Sequence, residues 1–171
     1  MILLTWKGRS MNGWENFFIG ELGASAALIG LVFVGISINL KKIMASSYLP
    51  NIALEALSAF VSTLFIAFLM LIPQQSFLTD GIEVLCVGLL TWIMMIYLHI
   101  DTFRKAPSTY RYALIVHQFM TYHLAALSFI GASVSFLIWG APGFYWLVAA
   151  TLLSYLAAFV DTWLLAVEIN R

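Results

Sequence analysis

Charged residues are scarce in this 171-residue chain: they make up 9% of it, against about 25% in an average soluble domain. Hydrophobic residues make up 63%, well above the soluble average of about 45–50%. So little charge cannot cover the surface of a water-soluble domain of this size. The sequence therefore predicts an integral membrane protein without a separate soluble catalytic domain.

Two further shortages exclude classes of function. The 8 basic residues are balanced by 8 acidic ones, so the chain lacks the positive field that nucleic acids or acidic substrates require. The single cysteine, Cys86, excludes an internal disulfide and a metal cluster held by several cysteines. Phosphate-binding loops and dinucleotide fingerprints are also absent, and no nucleophile has a matched base. We expect no enzymatic activity, no cofactor and no nucleic-acid partner.

Five apolar runs are long enough to cross the roughly 30 Å hydrocarbon core of a bilayer as helices. They cover residues of about 17–40, 52–72, 82–100, 113–139 and 144–169. The break Gly-Ala-Pro-Gly at 140–143 is so tight that it predicts an antiparallel hairpin of the last two runs. We therefore predict an all-α integral membrane protein with a single five-helix transmembrane domain over 17–171. Residues 1–16 form a peripheral segment, in which Met11 is an alternative start.

Basic residues are distributed unevenly between the predicted loops. Only Lys7 and Arg9 fall on one side of the membrane. Six fall on the other: Lys41, Lys42, Arg104, Lys105, Arg111 and Arg171. Because cytoplasmic loops carry the excess of Lys and Arg, we predict an outside amino terminus and a cytoplasmic carboxyl terminus in the inner (plasma) membrane of the cell.

Two segments in the first two spans are distinctive. Residues 30–40 read GLVFVGISINL and follow a run of small residues at 23–27, and residues 49–57 read LPNIALEAL. Together they resemble a family of small, uncharacterised bacterial integral membrane proteins. The resemblance implies a bacterial membrane protein and brings no activity. The function has to be argued from the polar residues within the spans.

Polar residues in the first span recur at alternating intervals of four and three, which places them on one helical face. An ionisable group within a span costs about 2.5–3.5 kcal/mol, so it faces a helix, a pore or an interface. If several copies assemble around this face, Glu21 forms an acidic outer ring, and Leu28 with Val32 forms a constriction. The alternative is a packing seam against neighbouring helices. The candidate pore-lining residues are Glu21, Ser25, Leu28, Val32, Gly35 and Asn39.

His123 in the fourth span and Asp161 in the fifth are predicted at similar depth, because the hairpin places each about 10–15 Å from the same membrane boundary. In contact, the two would form a proton-linked switch, since the carboxylate favours the charged imidazole. The alternative is that each side chain has a separate hydroxyl or backbone partner.

Further polar residues gather near the predicted cytoplasmic boundary: Glu55, His99, Asp101, His117 and Glu168. Imidazole and carboxylate groups suit zinc, iron or manganese. The histidines, however, are not spaced four residues apart, so no two of them share a helical face. We predict solvated helix ends whose carboxylates meet the basic loop, and no metal site.

Two functions of different classes remain. The preferred hypothesis is a homo-oligomer that conducts or transports ions along a pathway lined by the first span. The second is a non-conducting membrane subunit or regulator that binds a partner membrane protein. In both cases the helices lie in the lipid bilayer and contact it directly. The two hypotheses differ in whether the polar face of the first span meets water or packed helices.

Overall fold

The computed structural model describes residues 13–169, and of residues 108–119 only the backbone. Over this range the chain forms six helices and no strand. Five of the helices are long and apolar enough to cross a membrane, which confirms the prediction of an all-α protein with five long apolar helices. The helices are α1 (Trp14–Ile38), α2 (Leu40–Ala45), α3 (Leu49–Met70), α4 (Phe77–Lys105), α5 (Ser108–Ile138) and α6 (Gly143–Ile169).

Glycine and short polar side chains set several helix ends. Gly13 and Gly140 have φ of 89° and 74°, in the left-handed region that glycine tolerates. Gly13 precedes α1, and Gly140 lies in the turn between α5 and α6. Ser76 caps α4, because its hydroxyl accepts a hydrogen bond of 3.2 Å from the Thr79 amide. The tight turn after α5 makes α5 and α6 an antiparallel pair, as the sequence predicts.

Several helix boundaries differ from the predicted ones. α1 begins at Trp14 and ends at Ile38, so it takes in the end of the segment predicted to be peripheral. The two lysines predicted to end the first span belong to the separate helix α2. α4 is longer than predicted at both ends. The predicted spans end where the apolar run meets a polar residue such as Asp80. A helix can continue through polar residues, and it ends near a residue such as Pro107, which has no backbone N–H to donate.

α3 is the central helix of the molecule. It packs against α1, α4 and α6, while α5 packs against α4 and α6. α3, α4, α5 and α6 thus close into a four-helix bundle, and α1 lies outside it. We refer to the two ends of the molecule as the Trp14 end, where α1, α4 and α6 begin, and the Lys105 end, where α4 and α6 finish.

The core has three layers along the bundle. Aromatic rings fill the Trp14 end, where Phe136 and Phe144 lie 5.1 Å apart between ring centroids and Phe18 of α1 joins them. Small residues such as Ala59 and Ala157 are prominent in the middle layer, which lets α3 and α6 approach closely. A third apolar layer lies at the Lys105 end. The outward faces carry many exposed large hydrophobic side chains, as a surface in contact with lipid does.

Candidate functional site

Glu21 is a buried carboxylate near the Trp14 end. The residue is 5% exposed, and its Oε1 accepts a hydrogen bond of 2.7 Å from the Thr151 hydroxyl on α6. Its Oε2 is buried and has no hydrogen-bond partner among the described residues. The polar face predicted for the first span therefore turns, at this end, toward other helices of the same chain.

Three more hydroxyl groups extend this site. Ser25, one turn after Glu21, is fully buried, and its Oγ lies 3.0 Å from the Thr63 hydroxyl on α3. The same Oγ lies 2.7 Å from the Tyr155 hydroxyl on α6. Tyr155 also donates a hydrogen bond of 3.1 Å to the backbone oxygen of Glu21. The five residues that we call the Glu21 cluster are Glu21, Ser25, Thr63, Thr151 and Tyr155.

Glu55 of α3 is a second buried carboxylate, nearer the Lys105 end, and is 0% exposed. Its Oε1 accepts a hydrogen bond of 3.3 Å from Thr102 on α4, and its Oε2 lies 3.8 Å from His99 Nε2. The expectation of a solvated helix end is wrong for Glu55. The reason is that α3 is the central helix, so a polar residue near its start meets α4 instead of water.

Asp161 of α6 is another buried carboxylate, 1% exposed, and accepts a hydrogen bond of 2.5 Å from the Tyr122 hydroxyl on α5. His123 accepts a hydrogen bond of 3.0 Å at Nδ1 from the Trp92 indole on α4, and its ring lies 5.5 Å from that of His99. The two members of the predicted switch, His123 and Asp161, thus have different hydrogen-bond partners. The residue that contacts Asp161 is Tyr122, which precedes the predicted partner His123. Consecutive residues of a helix point about 100° apart, so the rotation of α5 about its axis decides which of the two meets Asp161.

Tyr122 connects the carboxylates at this depth. Its hydroxyl meets Asp161, and its ring lies 5.4 Å from the His99 ring, which faces Glu55. The five residues that we call the Glu55 cluster are Glu55, His99, Thr102, Tyr122 and Asp161. All of them except the half-buried His99 are buried.

Apolar side chains separate the two clusters. They come from several helices, with Val32, Phe60 and Ala158 among them. At 1.5 Å per residue, Tyr155 and Asp161 lie about 9 Å apart along α6. Both clusters include residues of α3 and α6, and they lie at different depths of the same bundle.

A small cavity lies inside the four-helix bundle, between the two depths. Its volume is about 20 Å³, and a cavity needs about 10–15 Å³ to hold one water molecule. Four hydroxyl-bearing residues contribute to its lining: Ser62, Thr91, Tyr122 and Ser154. Because a buried water needs about two to four polar partners, this lining is suited to one. The cavity adjoins the Glu55 cluster through Tyr122, and Ser154 is the chain neighbour of Tyr155.

The remaining residues of the predicted pore face lie closer to the Lys105 end. Val32 is buried in the apolar layer, and Leu28 packs against that layer. Asn39 donates a hydrogen bond of 3.0 Å to the Gly35 backbone oxygen, within its own helical turn. All four residues line a groove between α1 and α6. The structure thus divides the predicted face into a polar part, inside the Glu21 cluster, and an apolar part along this groove.

Three other predicted site residues lie toward the Lys105 end. Asp101 accepts a hydrogen bond of 2.8 Å from Asn51 and forms an ion pair of 2.5 Å with Lys105, as predicted for a helix end beside a basic loop. Glu168 is half-buried near the end of α6. His117 lies on α5, but its side chain is outside the described residues. In the part of the chain that the structure describes, no three His, Cys, Asp or Glu side chains are grouped to hold a metal ion.

Five residues that complete the clusters carry no individual signal in the sequence: Thr63, Thr102, Tyr122, Thr151 and Tyr155. Isolated hydroxyls are common in apolar helices. The spacing of Thr151 and Tyr155, however, is four residues, and it matches the spacing of Glu21 and Ser25 on α1. This match indicates two complementary polar faces once α1 and α6 are known to be neighbours.

Comparisons with protein-family models, with curated proteins and with solved structures find no match to this chain. The resemblance of its first two spans to small bacterial membrane proteins therefore stays a prediction. The geometry of the two clusters is the basis on which a function is inferred.

Proposed function

We propose that this chain is a multi-pass membrane protein that transports protons along a route inside its own helices. The observation that carries the proposal is the burial of four carboxylates, Glu21, Glu55, Asp80 and Asp161, in helices apolar enough to span a bilayer; the proposed route uses all of them except Asp80. Ionisable side chains are costly in that environment and mark ion pathways and proton relays. The route includes the first span, but it runs within one chain, because Glu21 and Ser25 meet α3 and α6.

Hydroxyl groups provide the first part of the route, at the Trp14 end. The Glu21 carboxyl meets Thr151, and Ser25 joins the hydroxyls of Tyr155 and Thr63. A hydroxyl is both a donor and an acceptor, so it can take up one proton and release another. The unpaired Oε2 of Glu21 is the atom at which a proton entering from the Trp14 end is held.

The second part of the route is the Glu55 cluster. Tyr122 passes a proton between the cavity and Asp161, and His99 with Glu55 lies beside it. The cavity has room for one water, which would connect Tyr122 with Ser154, the chain neighbour of Tyr155 in the Glu21 cluster. The route consists of hydroxyl and carboxyl groups, which take up and release protons, so the proton is the ion that this route favours.

The charges at the Lys105 end support the proposed orientation in the membrane. Basic residues gather there, which favours a cytoplasmic Lys105 end and a Trp14 end outside. The plasma membrane is the membrane in which this orientation is expected. The described basic residues at this end are Lys41, Lys42, Arg104 and Lys105.

Proton flux into vesicles tests the proposal. The full chain is reconstituted with a pH-sensitive dye inside, and a potassium gradient with valinomycin drives protons inward. We expect wild-type vesicles to acidify, and Glu21→Gln to slow the flux by about tenfold or more, since each 1.4 kcal/mol added to a barrier is about tenfold in rate. Glu15→Gln is the matched control, because Glu15 also lies on α1 but is exposed. Its flux should equal that of the wild type.

Asp161→Asn extends the test to the second cluster and should also slow the flux. Wild-type flux no greater than that of protein-free vesicles would refute proton transport. Equal flux in Glu21→Gln and Glu15→Gln would exclude Glu21 from the route.

A second candidate is a non-conducting membrane subunit that binds a partner membrane protein, and the outward face of α1 favours it. An added Cβ at Gly20, Gly23 or Gly30 meets nothing within 4 Å, and the neighbouring Ala24 and Ala27 are exposed. Small residues let helices approach closely in lipid. A second copy of this chain fits the same face, so the homo-oligomer expected from the sequence would form here and leave the Glu21 face inside each copy.

The mass of the purified protein in detergent distinguishes the second candidate from the first. An assembly that Gly23→Leu dissociates, in a protein that shows no proton flux, would favour the subunit. A monomer that transports protons would exclude the homo-oligomer.

A further inference from the structure

A groove of about 280 Å³ lies between α1 and α6 on the Lys105 side of the molecule. Its walls are apolar side chains, including Val32 from α1, Phe60 from α3 and Leu165 from α6. Leu31 and Phe159 also border it and are 70% and 65% exposed. The groove is therefore open on the outer surface, where the hydrocarbon of a bilayer lies.

The polar groups in the lining are engaged within their own helices. Asn39 donates to the Gly35 backbone oxygen at 3.0 Å, and Thr162 donates to the Ala158 backbone oxygen at 2.7 Å. The Thr162 hydroxyl has no second proton to donate, and every lining residue other than Asn39 and Thr162 is apolar. The interior is thus suited to hydrocarbon and not to a polar ligand.

A positive charge, that of Lys42, lies at one end of the groove, and a second lysine is its neighbour in the chain. Lys42 donates a hydrogen bond of 3.0 Å from Nζ to the backbone oxygen of Ile169, a residue of the groove lining. An ammonium group has three donors, so two remain for another acceptor. Lys41 is the next residue along α2 and is exposed. An apolar groove with the Lys42 ammonium group at its end and that of Lys41 on the adjacent residue matches a molecule with a hydrocarbon chain and an anionic headgroup.

We propose that this groove binds an anionic phospholipid, with one acyl chain between α1 and α6 and the phosphate at Lys41 and Lys42. The occupant follows from chemical complementarity: the lining is apolar apart from Asn39 and Thr162, and the Lys42 ammonium group lies at its end, which matches an acyl chain joined to an anionic headgroup. Anionic lipids are abundant in the cytoplasmic leaflet, and basic residues near that surface attract them. Lipid binding here is independent of proton transport.

Native mass spectrometry of the full chain tests the headgroup part of this site. The detergent-solubilised protein is mixed with phosphatidylglycerol or with phosphatidylcholine of the same acyl chains, and the bound lipids are counted. We expect a preference for phosphatidylglycerol, and the double variant Lys41→Gln/Lys42→Gln to lose about tenfold or more of its affinity. Arg104→Gln is the matched control, because Arg104 is an exposed basic residue at the same end of the molecule.

A second variant tests the groove itself. Gly35→Phe should fill it, since an added Cβ at Gly35 meets nothing within 4 Å and the residue is part of the lining. We expect this variant to lose the adducts of both lipids. Gly20→Phe is its control, because Gly20 is equally open but lies on α1 near the Trp14 end.

Three results would overturn the site. The first is equal binding of the two lipids by the wild type. The second is an affinity for phosphatidylglycerol that falls equally in the lysine double variant and in Arg104→Gln. The third is a dimer that Gly35→Phe dissociates in lipid-free detergent, which would make a second copy of the chain the occupant.

Discussion

α1 and the four-helix bundle of α3–α6 are held in place in different ways. Within the bundle, glycines mark close contacts: a Cβ added at Gly143 would lie 2.5 Å from the Phe136 ring. On α1, a Cβ added at Gly23 meets nothing within 4 Å. α1 is joined to the bundle through the buried apolar Phe18 and Val32 and through the buried Glu21 and Ser25, which are hydrogen-bonded to α3 and α6.

The difference indicates which helix separates first. Close packing of small residues is the main source of helix association in lipid, whereas an interhelical hydrogen bond contributes about 0.6–2 kcal/mol. The bundle and α1 have both kinds of contact, but α1 has the fewest buried residues of the five long helices in the part of the chain that the structure describes. α1 is therefore the helix most easily displaced, and it carries the carboxylate at the Trp14 end of the proposed proton route.

The largest expected effect is that of filling a glycine contact in the bundle. Gly143→Ala should lower the free energy of unfolding by about 3 kcal/mol, because the Phe136 ring is 2% exposed and has no room to move. Gly23→Ala should be neutral or stabilise the protein by up to about 1 kcal/mol, since alanine favours a helix. Unfolding by denaturant titration in mixed micelles measures both variants. Equal losses of stability in the two variants would show that the glycines of α1 are as closely packed as those of the bundle.

The second effect concerns the contact that joins α1 to α6. Thr151→Val removes the hydroxyl that donates to Glu21 and keeps the shape of the side chain. We expect a loss of about 2 kcal/mol, because a buried carboxyl group then lacks its donor. Thr162→Val is the control on the same helix: the Thr162 hydroxyl donates only to a backbone oxygen of its own helix.

Thr151→Val and its control are compared in the same micelle titration. A loss of stability in Thr151→Val alone would show that the hydrogen bond between Thr151 on α6 and Glu21 on α1 stabilises the fold. An equal loss in Thr162→Val would show that α1 is held chiefly by packing.

The helices could be predicted from the sequence because each depends on local signals. A run of about 20 apolar residues suffices to indicate a span, and the Gly-Ala-Pro-Gly break sets the α5–α6 turn. The separate helix α2 could not be predicted in the same way. Its sequence continues the apolar run of α1, and the break at Asn39 has no glycine or proline to mark it.

The candidate site could be predicted only in part. The periodicity of α1 places Glu21 and Ser25 on one face, but periodicity does not tell whether this face meets another copy or the same chain. The depth of Asp161 is predicted by the hairpin, whereas its partner depends on how α5 is rotated about its axis. A rotation of one residue, about 100°, separates His123 from Tyr122.

The smallest effect tests how far the hydroxyl network itself holds α1. Tyr155→Phe removes the hydroxyl that meets Ser25 at 2.7 Å and the Glu21 backbone oxygen at 3.1 Å. Ser25 keeps its contact with Thr63, so we expect a loss of only about 1 kcal/mol, a typical net value for a hydrogen bond. Tyr97→Phe is the control, because Tyr97 is 70% exposed and should show no change. A loss for Tyr155→Phe as large as that expected for Thr151→Val would mean that the five groups of the Glu21 cluster act as one cooperative network, in which no hydroxyl can be removed without weakening the others.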